Sequence, residues 1–471
     1  MINNLQFKIL ESTVESGSQF NNLVDILSWI TEIRNSVNCK ITRCKFTEMQ
    51  MWHLDLGKNI RHDSGKFFSI EGIKVNKNIG ENIISWDQPI INQPEIGILG
   101  IVCKEINGIL HFLLQAKIEP GNVNVVQLSP TVQATRSNYT KVHKGNSPHY
   151  LEYFLDIDKY EIIVDQLQSE QGARFLKKRN RNIIIKLNDN DNLKLESNFC
   201  WLTLKQIYEL IKIDNLINMD TRTVLSCINF IIQEELELSD LLSRTSSNWN
   251  KHVLNSLLFN SSSKYSFVEI FSWVTRLKSE SFISIKNTNI SDLDQWVIND
   301  YEIEHVEKRF FKVIAVNALI ENREVSTWFQ PLIEQRQSGL TGFVVKNFNG
   351  ILHFLVQARV EAGNLDILEL APTVQCITGN YLKPDWEIPY LEYFVNQGDP
   401  NKIVYSTVQS EEGGRFYHDQ NKNIIILLDD EENIVENKNY KWMSLLQIKH
   451  FIQFNNYFNI EARSLLSAIL S

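Results

Sequence analysis

Two short polar motifs occur twice in the chain, and their residue types suit a phosphorylated ligand that carries a flat ring. Pro130-Thr131-Val132-Gln133, followed by Asn138-Tyr139, returns 242 positions later as Pro372-Thr373-Val374-Gln375 with Asn380-Tyr381. Each block follows an apolar run, where a strand ends and a loop able to touch a ligand begins. The same Asn and Thr side chains would also serve a purely structural loop by satisfying backbone groups. The second motif, Gln168-Ser169-Glu170-x-Gly172-x-Arg174-Phe175, returns as Gln409-Ser410-Glu411-x-Gly413-x-Arg415-Phe416. Its Arg presents a planar fork to phosphate, and its Gly lets backbone approach. Alternatively, the Glu and Arg four residues apart pair with each other. Trp52, Trp296, Tyr139 and Tyr381 offer faces on which a nucleobase stacks, or serve as packing residues. His111 and His353 sit between apolar neighbours and read as buried, satisfied side chains.

The elements that must position these groups are themselves duplicated. Gly108 to Tyr139 and Gly350 to Tyr381 share 18 of 32 positions. Within the repeat, Asn107-Gly108 and Asn349-Gly350 separate two apolar runs, which predicts antiparallel hairpins through type I′ turns. Glu119-x-Gly121-Asn122 and Glu361-x-Gly363-Asn364 make the next turn, before a third strand. Further strands are expected at 182–185 and 423–426, and helices at 201–213 and 442–454. Apolar residues at helical spacing (Phe20, Leu23, Val24, Leu27, Ile30; Phe267, Ile270, Phe271, Val274) open each half with a packing helix. The Ser-rich stretch 239–263 is read as the connection between halves. The class is therefore α+β, with domains at 1–238 and 239–471.

At 471 residues the chain is too long for one growing core, while 43% hydrophobic and 22% charged residues describe an ordinary globular protein. A net charge of -9 argues against broad nucleic-acid or acidic-membrane surfaces, which need clustered Lys and Arg. The six cysteines form no CxxC pair and read as reduced thiols of a cytoplasmic protein. Neither a signal peptide nor a membrane-spanning run is visible. No GxGxxG after a strand, GxxxxGK[ST] or HExxH occurs, which disfavours a tightly bound nicotinamide or a P-loop nucleotide.

With these residues assembled, the chain resembles the NDP-hexose 2,3-dehydratases of deoxysugar biosynthesis. The resemblance is carried by RHDSGKFF (61–68), WDQPIINQPEIGILG (86–100), QAKIEPGN (115–122), LSPTVQATRSNY (128–139) and QSEQGARF (168–175), then by LAPTVQC (370–376) and QSEEGGRF (409–416). It implies a duplicated Nudix-like fold, a homodimer, and a nucleotide-sugar pocket in each half, one catalytic and one vestigial. The Nudix box itself is missing, so metal-dependent diphosphate hydrolysis is not expected and no metal site is assigned. The implied substrate is dTDP-4-keto-6-deoxyglucose, the nucleotide base resting on the family alone, and no cofactor is required. The C4 ketone acidifies C3, loss of the C2 hydroxyl is a β-elimination, and the enol product relaxes to a 3,4-diketo sugar. Such a site needs a base for C3, a donor to the C4 oxygen and an acid for the departing hydroxyl.

The first half carries His62, Lys66, Lys117, Arg136, Tyr139 and His143. The second has His305, Arg309, Arg359, Thr378 and Tyr381, with no counterpart to His143. Catalysis is therefore assigned to the first half, with Tyr139 or His143 as acid/base and Lys66 or Lys117 facing the C4 oxygen. Substrate binding is assigned to Trp52, His62, Thr131, Gln133, Thr135, Arg136, Ser137, Asn138, Ser169 and Arg174. In the second half it falls to Trp296, Thr373, Val374, Gln375, Gly379, Asn380, Tyr381, Ser410 and Arg415. A downstream 3-ketoreductase is expected, because a diketo sugar is labile. The competing readings are a Nudix-type nucleotide-sugar hydrolase and a non-catalytic nucleotide-sugar binding protein.

Overall fold

Asn107 and Gly108 adopt φ of 51° and 85°, and Asn349 and Gly350 adopt 53° and 87°, the left-handed pair that a type I′ hairpin demands. In this computed structural model, which describes residues 5–15, 21–55, 57–79, 82–135, 148–258, 262–321, 325–382, 387–395 and 400–471, those turns join Gly97–Ile106 to Ile109–Ile118 and Gly339–Phe348 to Ile351–Arg359. Each hairpin is the centre of a seven-stranded sheet. In the first half the order is Glu161–Ser169, Arg179–Lys186, Gly97–Ile106, Ile109–Ile118, Phe199–Leu202. Val126–Ser129 pairs beside Ile109–Ile118, and Val132–Ala134 beside Gly97–Ile106. Arg179–Lys186 and Gly97–Ile106 run parallel, all other pairs antiparallel. The second half repeats the plan, down to its parallel pair Gly339–Phe348 and Gln420–Leu427.

Two five-stranded sheets stand beside these, and here the halves exchange strands. Cys39–Cys44 runs antiparallel to Lys312–Ile320 of the second half, with Cys39 opposite Ile320 and Cys44 opposite Ala315. Reciprocally, Ser281–Thr288 pairs with Ser69–Ile79 of the first half. The largest apolar core joins both halves, containing Phe112, Leu128 and Ile207 together with Phe343, Phe354 and Ile448. Gly100 and Gly342 admit the rings of Phe154 and Phe394 to the central strands: a Cβ there would lie 2.5 and 2.1 Å from ring carbons.

Helix starts follow local chemistry. Asn22 with Asp25, Ser266 with Glu269, Thr203 with Gln206 and Ser444 with Gln447 form capping boxes. The latter two shorten the expected helices. Trp201 and Trp442 lie in strands Phe199–Leu202 and Tyr440–Ser444, and the helices are Leu204–Ile211 and Leu445–Ile452. The 239–263 stretch is largely helical, with helices Glu235–Ser243 and Asn248–Ser256 occupying much of it. Its Ser cluster is a cap rather than a loop: Ser247 accepts from Asn250 N at 3.3 Å, and Leu241, Val253 and Leu254 are fully buried. Among the described residues no helix is long and apolar enough to cross a membrane.

Candidate active site

A cleft of about 1490 Å³ opens over the end of the first seven-stranded sheet, larger than most small-molecule pockets and long enough for an extended nucleotide sugar. Its aromatic wall is built by strand Trp52–Leu54 and the turn after Ile60–His62. Trp52 packs against His62 at 5.3 Å and Phe68 at 4.9 Å, and His62 against Phe67 at 4.5 Å between ring centroids. Its polar floor comes from the first half: Lys117, Glu119, Gln133, Thr135, Glu170, Lys178 and Asn180 at strand ends, and Asp220 in the first turn of helix Met219–Ser226. The remaining wall belongs to the second half, with Trp328, Phe329, Gln330, Glu412 and Arg415. The pocket is composite, although the sequence places a separate pocket in each half.

The composite character follows from how the two motifs meet. Gly121 N donates to Gly413 O at 2.8 Å and His418 N to Gly121 O at 2.9 Å; symmetrically, Gly363 N donates to Gly172 O at 2.6 Å and Lys177 N to Gly363 O at 2.8 Å. Each Glu-x-Gly-Asn turn thus threads against the Ser-Glu-x-Gly-x-Arg-Phe loop of the opposite half. Arg415 consequently reaches the first-half cleft, where its guanidinium lies 4.1 Å from the Phe68 ring and donates to Gln93 Oε1 at 3.1 and 3.2 Å. Arg174 makes the mirror contact, 4.1 Å from the Phe311 ring of the second half. The two arginines are therefore exchanged relative to the sequence assignment. Glu170 does not hold Arg174; it accepts from Asn180 Nδ2 at 2.5 Å.

The assigned residues divide by what their polar atoms already bind. Gln133 is oriented from both ends, accepting from Asn218 Nδ2 at 3.4 Å while its Nε2 faces Glu119 at 3.2 Å and Glu412 at 3.4 Å. Lys117 pairs with Glu119 at 3.0 Å. Trp52, His62 and Thr135 line the cleft. The Thr131 hydroxyl, by contrast, accepts from Val102 N at 2.9 Å and donates to Leu113 O, and Thr373 does the same with Val344 and Leu355. Both threonines splice strands. Ser169 donates to Glu369 at 2.6 Å, and Ser410 accepts from Gln127 at 2.7 Å, both fully inside. Lys66 is exposed and outside the cleft lining. Arg136, Ser137, Asn138, Tyr139 and His143 lie outside the described residues.

Of the second-half assignments, Trp296 donates its indole N–H to Asp87 O at 2.9 Å and Val374 is core. Gln375 spans Asn459 at 2.7 Å and Glu361 at 3.2 Å. Gly379 has φ of 71°, and Asn380 and Tyr381 form a 3-10 turn, Tyr381 packing on the second-half core. None of these lines the large cleft.

Electrostatically the floor holds acids out of water beside a few cations. Burial first, and Glu119 next, pushes the Glu412 carboxyl up to about 7. Burial raises Glu170 and, more strongly, Asp220, which also faces Glu412. Burial, and then Arg415 among the neighbouring charges, lowers Lys178 to about 8, against the pull of Glu170. Groups poised near neutrality in a cleft are suited to proton transfer. Lys178, Asp220 and Glu412 were not assigned from sequence. The available signal was the repeat, since Lys178 aligns with Asp419 and Glu412 with Gln171, changes of charge inside matching blocks.

Glu369 tests this electrostatic picture away from the cleft. It is 2% exposed, and burial lifts its carboxyl to about 7 from the usual 4.5. The folded state then binds more protons than the unfolded chain between those values, so stability is full below about 4.5 and falls as pH rises through about 7. Glu369→Gln should melt with the parent near pH 5 and above it at pH 8, by up to about 3 kcal/mol. Calorimetric melts at both pH values decide it; a difference that does not change with pH would mean that Glu369 is not held uncharged.

A duplicated α+β protein with a composite, acid-lined cleft is the class that this geometry defines. The profile of the NDP-hexose 2,3-dehydratases matches residues 23–228 and 267–469, both copies of the repeat, and the chain belongs to that family. It is 42% identical over 447 residues to the dTDP-4-dehydro-6-deoxy-alpha-D-glucopyranose 2,3-dehydratase of Saccharopolyspora spinosa, covering 94% of this chain and 90% of that one. Enzymes of the same name from Amycolatopsis orientalis and Streptomyces violaceoruber are 40% and 37% identical over 94% of the chain, covering 89% and 96% of their own lengths.

Proposed function

We propose that the protein removes the C2 hydroxyl of dTDP-4-keto-6-deoxyglucose, leaving a 3,4-diketo-2,6-dideoxy sugar on the nucleotide. The observation that carries this reading is the match of both repeats to one dehydratase family, joined to a cleft whose floor holds carboxyls and lysines side by side. The aromatic wall of Trp52, His62 and Phe68 receives the base, and Arg415 and Lys178 attract the diphosphate. Lys117 lies toward the C4 oxygen, where it favours the enolate. Tyr139 or His143 supplies the proton that the departing hydroxyl needs, with Arg136, Ser137 and Asn138 on the same segment contacting the sugar nucleotide.

The wider reading is a pair of Nudix-like units, 1–238 and 239–471, with a vestigial second pocket, working as a cytoplasmic homodimer. It passes its labile product to a 3-ketoreductase. Incubation with dTDP-4-keto-6-deoxyglucose, followed by mass spectrometry of the nucleotide sugar, is expected to show loss of one water. Release of dTMP would point to a hydrolase instead, and an unchanged mass to a binding protein. Tyr139→Phe is expected to lower turnover by about 10²-fold or more, and Tyr381→Phe by far less. The reverse order would move catalysis to the second half.

A further inference from the structure

We infer that Glu412, contributed by the second half to the first-half cleft, is the carboxylate that takes the proton from C3 of the sugar. The inference rests on the dehydratase reading above and names a base for it.

Four carboxyls line the cleft floor, and comparison of the halves separates them. Glu119 is neutralised by Lys117, as Glu361 is by Arg359 at 2.8 Å. Glu170 accepts from Asn180, as Glu411 does from Asn421. Asp220 has Glu461 at the matching position, both opening buried helices capped by Asn218 and Asn459. These three are acids in both copies, and their partners are inherited with them. Among these four floor carboxyls, Glu412 alone has a non-acidic counterpart. At the matching place beside the second half stands Gln171 of the first half, whose amide donates to Glu411 and cannot accept a proton at neutral pH.

The setting of Glu412 suits the task. Its Oε1 is fixed by Gly414 N at 2.9 Å and by the Gln133 amide at 3.4 Å. Among the described residues, Oε2 receives no hydrogen bond. One oxygen is anchored, and the other is left for the ligand. The rigid loop beneath it is the one locked against Gly121, so the second half positions the base while the first half binds the sugar.

The step balances. The C3–H bond breaks, its proton passes to Glu412, and its electron pair forms the enolate, with charge on the C4 oxygen beside Lys117. The ketone re-forms as the C2–O bond breaks, and the hydroxide leaves as water with a proton from the acid group. The resulting enol gains a proton at C2 from Glu412 and loses one from its C3 hydroxyl to the acid group, so both are restored.

Glu412→Gln places in the first cleft the residue that the second already carries. With dTDP-4-keto-6-deoxyglucose it is expected to lower kcat by about 10³-fold, while the Kd for dTDP, from calorimetry, stays within about threefold of the parent. Deuterium incorporation at C3 of recovered substrate in D2O should fall with kcat. Glu412→Asp, which keeps the carboxylate, should retain at least about tenfold more activity than Glu412→Gln, and it guards against a misfolded first variant. Turnover of Glu412→Gln within about threefold of the parent, or undiminished deuterium exchange at C3, overturns the assignment. A parent enzyme that removes no water overturns the dehydratase reading and this role with it, and that result is separate from a competent parent with a competent variant.

Discussion

Gly121→Ala is expected to abolish the stable fold at physiological temperature, although it adds one methyl group. A Cβ at Gly121 would stand 1.6 Å from the carbonyl oxygen of Phe416, 2.7 Å from its carbon and 2.8 Å from Gly413 O. All three are backbone atoms of the opposite half, so no rotamer change relieves the contact. Relief requires parting two segments that exchange the Gly121 N to Gly413 O and His418 N to Gly121 O hydrogen bonds. Overpacking alone typically costs about 1–3 kcal/mol, and two broken buried bonds add about 1–3 each. The expected loss is therefore about 3–9 kcal/mol, or roughly 10 °C and more in Tm for units of this size. Gly108→Ala is the control. Its φ of 85° is unfavourable for Ala, but nothing lies within 4 Å of the added carbon, so the cost is about 1 kcal/mol. Thermal melts of the three proteins decide it, and a Gly121→Ala variant melting within about 3 °C of the parent would show that the joint is slack.

That joint separates what sequence could reveal from what it could not. Asn107-Gly108 dictates its hairpin through φ alone, and Ser266 with Glu269 starts its helix with a local capping box, so both are visible to anyone reading a few residues. The motif glycines looked like room for phosphate because Gly beside Arg has that use elsewhere. Their actual work is close backbone approach between segments hundreds of residues apart, Gly121 against Gly413 and Gly363 against Gly172, which no local pattern encodes. The exchange of Cys39–Cys44 into the second half's sheet is hidden for the same reason: alternation marks a strand and leaves its partner unnamed. Thr131 and Thr373 show the complementary error. Their persistence in both copies reflects hydroxyls that tie strand to strand, a need that any copy of the scaffold would share. Positions where the copies differ carried more functional information than positions where they agree, as Glu412 against Gln171 illustrates.

Replacing Arg222 by Met should destabilise the protein comparably and, in whatever fraction remains folded, slow turnover. Arg222 is 1% exposed and spends its guanidinium across the halves. It donates to Ser464 Oγ at 2.8 Å, Gln409 Oε1 at 3.1 Å and Ser410 O at 2.7 Å, and also to Ile217 O. Arg463 answers from the other side, bonding Thr223 Oγ1 at 2.9 Å and Ser169 O at 2.5 Å. Met has similar volume but no donors, so four buried acceptors lose their partner and the Glu411 carboxyl loses the nearby cation that favours its charged form. Removing one member of such a network costs about 3–5 kcal/mol. Ser410, whose carbonyl Arg222 holds, lies two residues before Glu412, so its release should disturb the loop that presents the carboxylate more than the aromatic wall that receives the base. The expected pattern is a Tm lowered by about 10 °C, with kcat at low temperature falling more than the affinity for dTDP. Arg222→Lys should fall between the two, keeping the charge while losing the fork. Equal loss of kcat and of dTDP affinity would mean that Arg222 supports the whole cleft, and an unchanged melt would mean that the reciprocal arginines do not hold the halves together.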